Sequence, residues 1–322
     1  PRPPRSTQGV SSAASDVYTR QRHLLPTSGA NIFSCRRSRD DTVSTAEEHY
    51  MTGKTIVVTS GKGGVGKTTA TANIGTGLAM RGHNVVVIDS DIGLRNLDVV
   101  MGLENRIVYD LVDIIEGRCK LNQGMIRDKH KLDLYLIPAP QTRDKDCIDP
   151  EQLRELCQKL EEEFDYVIVD CPAGIEQGFK NAIAGAQEAI MVTTPEVSAI
   201  RDADRVIGLL EAAELHRPKL IINRVNSAMV KRGDMMDKDD IVELLAVDIL
   251  GMVPVDDRLI TATNQGIPVI HDPKALSGAA FSRIVARIDG EEVAIPDLEP
   301  RTGIMDKVKE IMGIKGGSYT HA

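Results

Sequence analysis

Residues Ser60–Thr69 read "SGKGGVGKTT". Gly61 and, after four intervening residues, Gly66, then Lys67 and Thr68, match the pattern G-x-x-x-x-G-K-[ST]. The match follows an apolar run, "TIVVTS" (55–60), and precedes a stretch of helical composition. This is the setting of a phosphate-binding loop. Gly61, Gly63, Gly64, Val65 and Gly66 would turn backbone N–H groups inward around a phosphate chain. Lys67 would reach the β and γ phosphates, Thr68 would offer its hydroxyl to Mg²⁺, and Thr69 would continue the cradle into the helix. Lys62 is outside that pattern: it places a second positive charge where a small residue would serve.

Such a loop requires a parallel sheet behind it, and the chain supplies one. Besides 55–60, the runs "NVVVIDS" (84–90), "LDLYLIPA" (132–139), "DYVIVDCPA" (165–173), "EAIMVTT" (188–194), "KLIINRV" (219–225) and "VDILGMVPV" (247–255) read as strands. Several are apolar on both faces, as in a parallel sheet covered on both sides. Helical segments alternate with them. "DPEQLRELCQKLEEEF" (149–164) begins with Asp149 as N-cap and Pro150 at the first position, with Leu153, Leu156, Cys157 and Leu160 on one stripe. "DKDDIVELLAV" (237–247) begins with acids that suit a helix N-terminus. The expected fold is α/β: a doubly wound, mostly parallel sheet with helices on both faces, of the P-loop NTPase type, ending in an amphipathic helix.

Acids at strand ends complete the candidate site. Asp170 closes "YVIVD" and fits a Walker B role, holding Mg²⁺ through a water. Asp89 and Asp91, in "DSDIGLRNLD" (89–98), leave another strand at its carboxyl edge; either could orient an attacking water, or cap the turn. Pro172 and Gly174 after Asp170 form a turn able to sense a γ phosphate. Asn223 at a strand end either reads an adenine edge or is a turn residue.

Composition narrows the alternatives. The 322 residues carry a formal net charge of -8, yet residues 1–39 hold seven arginines against one acid. The acidic body argues against general nucleic-acid affinity, and none is expected. The absence of Trp removes the usual stacking platform. Five cysteines without CxxC spacing give no support to a zinc site or cluster carrier. Residues 1–50, rich in Ser, Arg and Pro, have the composition of an organelle transit peptide, the alternative being a dispensable tail. The ATPase domain is expected over 51–290. A linker follows at 291–303, "EEVAIPDLEPRTG", and then a helix over 304–317 with Ile304, Met305, Val308, Ile311 and Met312 on one face.

Lys62 within the loop, "DIGLRNLD" (91–98), "QTRDKD" (141–146), "DCPAGIE" (170–176), "PEVSAIRDADR" (195–205), "NQGIPVI" (264–270) and the terminal helix together resemble the deviant Walker A (ParA/MinD) ATPases. Within that family they resemble the MinD branch that places the division site, in its plastid form. The resemblance runs from about Lys54 to near Lys315. It implies ATP and Mg²⁺ as cofactors and a homodimer with ATP, in which Lys62 reaches the partner subunit's phosphates. It implies that Asp91 positions the hydrolytic water, with Asp89 and Asn96 as switch residues, and that Asn223, Pro254 and Asp256 contact the nucleotide. Arg201, Asp202 and Asp204 resemble the docking helix for a MinE-like activator and for septum-inhibiting or plastid division proteins. The terminal helix resembles a membrane-targeting segment for an anionic membrane surface, which implies the chloroplast stroma at the inner envelope. One departure is Cys171, where many members have Ser.

Physical magnitudes fit a reversible anchor. Five aliphatic side chains contribute at most about 7 kcal/mol on burial, and ordering the segment offsets much of it. One copy binds marginally, whereas two copies on a dimer bind together. The main competing reading is a DNA-partitioning ATPase of the same family, for which "KALSGAAFSRIVARIDG" (274–290) offers Lys274, Arg283 and Arg287.

Overall fold

The computed structural model describes residues 53–143 and 147–296. The segment 1–50, residues 144–146 of "QTRDKD", and the amphipathic segment carrying Ile304, Met305, Val308, Ile311 and Met312 lie outside the described residues.

Eight strands form one sheet: β1 (Lys54–Thr59), β2 (Val85–Asp89), β3 (Ile126–Arg127), β4 (Leu134–Ile137), β5 (Tyr166–Asp170), β6 (Glu188–Thr193), β7 (Lys219–Val225) and β8 (Ile249–Pro254). Their order is β3-β4-β2-β5-β1-β6-β7-β8. All pairings are parallel except β3 with β4. Each of the seven runs read as strands forms one; the two-residue β3 is additional, too short to leave a periodic signal.

Alternation along the strands builds two cores. Val57, Val86, Ile88, Val167 and Val169 face one side, packed under the helices Pro150–Glu161, Gln177–Ile183, Val197–Ala212 and Lys238–Leu245. Ile56, Val58, Val85, Val87 and Ile168 face the other, under Lys67–Met80, Leu97–Met101 and Leu276–Ile288. The expected N-caps are present: the Asp149 side chain accepts from Gln152 N, and that of Asp237 from Asp240 N. Leu153, Leu156, Cys157 and Leu160 are buried as the stripe requires.

The helix Lys67–Met80, which starts at the phosphate loop, sits unusually deep. A Cβ on Gly75 would lie 2.6 Å from Val87 Cγ1, and one on Gly77 would lie 2.5 Å from Ile270 Cδ1. Small residues therefore let this helix settle against β2 and against Leu276–Ile288, which fixes the loop above the sheet's carboxyl edge. Gly75→Val should overpack this contact and destabilise the domain by about 1–3 kcal/mol, read as a lowered urea midpoint; an unchanged midpoint would contradict this packing account.

Candidate functional site

The turn between β1 and its helix carries the phosphate-loop residues. Gly64 (φ +77°) and Gly66 (φ +104°) take left-handed backbone that side chains resist. Two close approaches fix the loop from outside. A Cβ on Gly61 would lie 2.3 Å from the Asp202 carbonyl carbon, and one on Gly66 would lie 2.3 Å from Asn223 Nδ2. Asn223 Nδ2 donates to the Val65 carbonyl at 2.7 Å. The next residue, Arg224, has φ +57° at a register shift between β7 and β8, and its N–H donates to Asn223 Oδ1 at 2.9 Å. Asn223 is thus buried against the loop, supporting the cradle.

Below the loop lies a pair of carboxylates. Asp89 ends β2 and Asp170 ends β5, paired in register on neighbouring strands, and each is 1% exposed. Thr71 Oγ1 donates to Asp170 Oδ1 at 3.1 Å; Thr68 also hydrogen-bonds this carboxylate, and the buried Lys67 sits near it. Burial, then repulsion by Asp89, pushes Asp170 up to about 7. Burial likewise pushes Asp89 up to about 6, against the backbone N–H groups that bond it.

Those N–H groups define what Asp89 does. Its carboxylate accepts from Asp91 N at 3.0 Å and from Asn96 N and Leu97 N at 3.1 Å each. It therefore caps the helix Leu97–Met101 and holds the whole segment 91–97 against the sheet. Asn96 is exposed at that helix's N-cap position. Arg95 is tied to the buried Asp98 at 2.9 Å. Asp91 faces a cavity of 30 Å³, lined by Ser90, Ile92, Pro172, Ala173 and Glu176 among others, which is room for a water or two. Asp91 and the turn residues Pro172 and Ala173 thus meet at one small chamber.

The remaining candidates divide. Asp256 accepts from Ser277 N and Oγ and from Arg258 N, so it caps the helix Asp257–Asn264 and ties it to Leu276–Ile288. Burial alone would raise its pKa, but these hydrogen bonds outweigh it and hold the carboxyl below the usual range. Pro254 pairs with Val225 beside Asn223. Arg201 and Asp204 are exposed on the helix Val197–Ala212, and with Val197, Met236 and Leu244 they border an apolar groove of 250 Å³. Asp202 presents its backbone to Gly61, so the helix that carries Arg201 and Asp204 also touches the phosphate loop.

Lys62 separates from Lys67. Lys67 is 8% exposed and lies in the loop. The Lys62 side chain is 45% exposed and points outward, its Nζ 3.3 Å from Ser198 Oγ and 3.6 Å from Glu196 Oε2. Sequence reasoning passed over Thr71 and Asn73. Asn73 Nδ2 donates to the Thr69 carbonyl, and its Oδ1 accepts from Ile270 N, so it joins the loop's helix to "NQGIPVI". The threonine three residues after Thr68 is the signal for the first; Asn73 leaves none.

The donor set fits the expected ligands. Two carboxylates and threonine hydroxyls beside a glycine-walled cradle suit a hard divalent cation and a phosphate chain. Linkage gives a testable sign. Both carboxylates titrate higher in the folded state than the ordinary aspartate value, so the native state holds extra protons. Their contribution to stability is therefore lost as pH rises from about 4 to about 7. Asp170→Asn, with no ligand added, should raise the urea midpoint at pH 7.5 and abolish the Mg²⁺ dependence of nucleotide binding; a lower midpoint at that pH would contradict the buried-charge account.

Comparison with known proteins agrees with this geometry. Residues 56–269 match the CobQ/CobB/MinD/ParA nucleotide binding domain. The chain is 56% identical over 266 residues to the septum site-determining protein MinD of Bacillus subtilis, covering 82% of this chain and 99% of that one. MinD in the MinC:MinD cell division protein complex of Aquifex aeolicus superposes with a TM-score of 0.72 at 46% identity, covering 76% of this chain and 99% of that one. The septum site-determining protein MinD of Pyrococcus horikoshii, complexed with Mg-ADP, superposes with a TM-score of 0.68 at 29% identity, covering 74% and 96%. The chain belongs to the MinD/ParA family of P-loop nucleotide-binding proteins, on its MinD branch.

Proposed function

We propose that this chain is an ATPase that dimerises on ATP, cycles on and off a membrane, and regulates where the plastid division septum forms. The observation that carries this reading is the divergence of its two loop lysines. Lys67 is buried in its own phosphate loop, whereas Lys62 projects from the same loop to the surface beside Ser198 and Glu196. A charge on that face adds little to a phosphate site already lined by backbone N–H groups and Lys67. In a dimer it would meet the phosphates of the second subunit.

The remaining residues then have coherent tasks. Gly61–Thr69 would hold the phosphate chain, with Asn223, Pro254 and Asp256 at the nucleoside end. Thr68 and, through water, Asp170 would hold Mg²⁺, which when bound neutralises charge on the phosphates. Asp91 would orient the attacking water in the chamber it shares with Pro172, and Gly174 would belong to the same switch turn. Departure of the γ phosphate would free that turn and the Asp89-held segment through Asn96, separating the subunits into ADP-bound monomers. Arg201, Asp202 and Asp204 would receive a MinE-like activator and septum-inhibiting proteins; a MinC:MinD complex of a relative supports that class of partner. Ile304, Met305, Val308, Ile311 and Met312 would bind an anionic membrane, paired by the dimer. The arginine-rich segment 1–50 supports entry into the chloroplast, with action in the stroma at the inner envelope.

A DNA-partitioning role is less favoured. The 56% identity is to a septum site-determining protein. Of the three basic residues in 274–290, Arg287 is spent on internal carbonyls.

Lys62→Ala should bind ATP with near wild-type affinity but stay monomeric in light scattering with ATP and Mg²⁺; an ATP-dependent dimer from that variant would refute the assignment. Asp91→Ala should form a persistent ATP-bound dimer with turnover reduced on the order of 10²-fold or more. A monomer that still binds ATP would show that Asp91 serves assembly instead.

A further inference from the structure

The backbone of Asp170 is fixed independently of its side chain. Its carbonyl accepts from Ser90 N at 3.1 Å and from Ser90 Oγ at 2.7 Å, and Cys171 N donates to the Val58 carbonyl at 3.0 Å. The carboxylate is left to turn about its side-chain torsions. Its neighbour across the sheet cannot hold it. Asp89 carries the same charge and already accepts from Asp91 N, Asn96 N and Leu97 N. The hydroxyls that bond the Asp170 carboxylate come instead from the helix Lys67–Met80, where Thr68 and Thr71 lie one turn apart on one face.

The two threonines differ in what else is asked of them. Thr68 belongs to the phosphate-loop pattern, and its one hydroxyl proton sits on an oxygen wanted by Mg²⁺. Lys67 is likewise wanted by the phosphates. Thr71 lies a turn further along the helix and is fully buried. Its Oγ1 donates to Asp170 Oδ1 at 3.1 Å. A threonine inside a helix commonly returns its hydroxyl to the carbonyl four residues back. Thr261 and Thr263 do so, bonding the Asp257 and Leu259 carbonyls at 3.1 Å and 2.9 Å. Thr76, buried in the same helix as Thr71, has no partner for its hydroxyl. The bond from Thr71 is therefore particular to its place beside Asp170.

We propose that Thr71 is a positioning residue for the acid that holds Mg²⁺: its hydroxyl keeps Asp170 Oδ1 while Thr68 and Lys67 serve the nucleotide, which leaves the other carboxylate oxygen for the metal's water. This rests on the reading of Asp170 as the Mg²⁺-holding acid. A carboxylate that acts through water contributes when its oxygen is aimed, and partners that aim a metal's ligands govern metal affinity by about ten-fold or more.

The test titrates Mg²⁺ into the full chain saturated with a fluorescent ADP and reads the rate of nucleotide release, which Mg²⁺ should slow. Thr71→Val keeps the shape and removes the hydroxyl. It should release ADP in EDTA at the wild-type rate but need about ten-fold more Mg²⁺ for half of the slowing. Thr71→Ser keeps the hydroxyl and loses a buried methyl. It should show a lowered urea midpoint with the wild-type Mg²⁺ requirement. These opposite patterns separate positioning from packing. Should Thr71→Val fail to fold, Thr71→Ala carries the same expectation. An unchanged Mg²⁺ requirement without the hydroxyl overturns the proposal, as does a requirement raised equally by Thr71→Ser. No Mg²⁺ response in the wild type, or the wild-type response in Asp170→Asn, removes the reading of Asp170 and this proposal together.

Discussion

Two carboxylates ending neighbouring parallel strands, Asp89 and Asp170, are both removed from water, and much of the site follows from how that cost is met. Buried like charges repel and lack hydration, so each must gain hydrogen bonds, a cation or a proton. Asp170 gains threonine hydroxyls and the nearby Lys67, an arrangement a divalent ion would complete. Asp89 gains three backbone N–H groups and thereby organises the segment that carries Asp91 and Asn96. The pair thus places the acid proposed to hold the metal and the acid that holds the 91–97 segment side by side, linked by repulsion. A change in charge at one is felt at the other.

The loop above this pair is held by small-residue contacts that cannot tolerate a methyl group. Gly61 lies on the backbone of the helix Val197–Ala212, and Gly66 lies on the Asn223 amide. The first contact connects the phosphate site to the surface with Arg201 and Asp204, and the second connects it to the end of β7. Lys62 leaves the loop between these contacts and meets Glu196 and Ser198 at the start of the same helix. The phosphate loop, Lys62 and the surface carrying Arg201 and Asp204 therefore meet on one helix.

Much of this was legible from residue types alone. Seven strands carried short apolar runs long enough to be read, and the two N-caps Asp149 and Asp237 announced their helices. The pattern Gly61 to Thr68 located the site because each of its residues has a fixed local task. What stayed hidden depended on tertiary contacts. Asp89 could be a switch acid or a cap, and only the positions of three N–H groups show it capping. Asn223 could in sequence read a base or form a turn, and only the tertiary contact shows its Nδ2 on the Val65 carbonyl. The β3 edge is two residues long, and the bound start of the linker rests on Arg287, which sequence shows only as one more basic residue on an exposed-looking helix.

The central claim is that ATP at the carboxyl edge of the sheet controls membrane binding through Lys62 and a dimer. Its most direct test is co-sedimentation of the full chain with anionic vesicles in ATP, in ADP and without nucleotide, each with Mg²⁺. The account predicts binding with ATP and little in the other two conditions. Equal binding in all three would contradict it, even if the terminal segment proved to bind lipid.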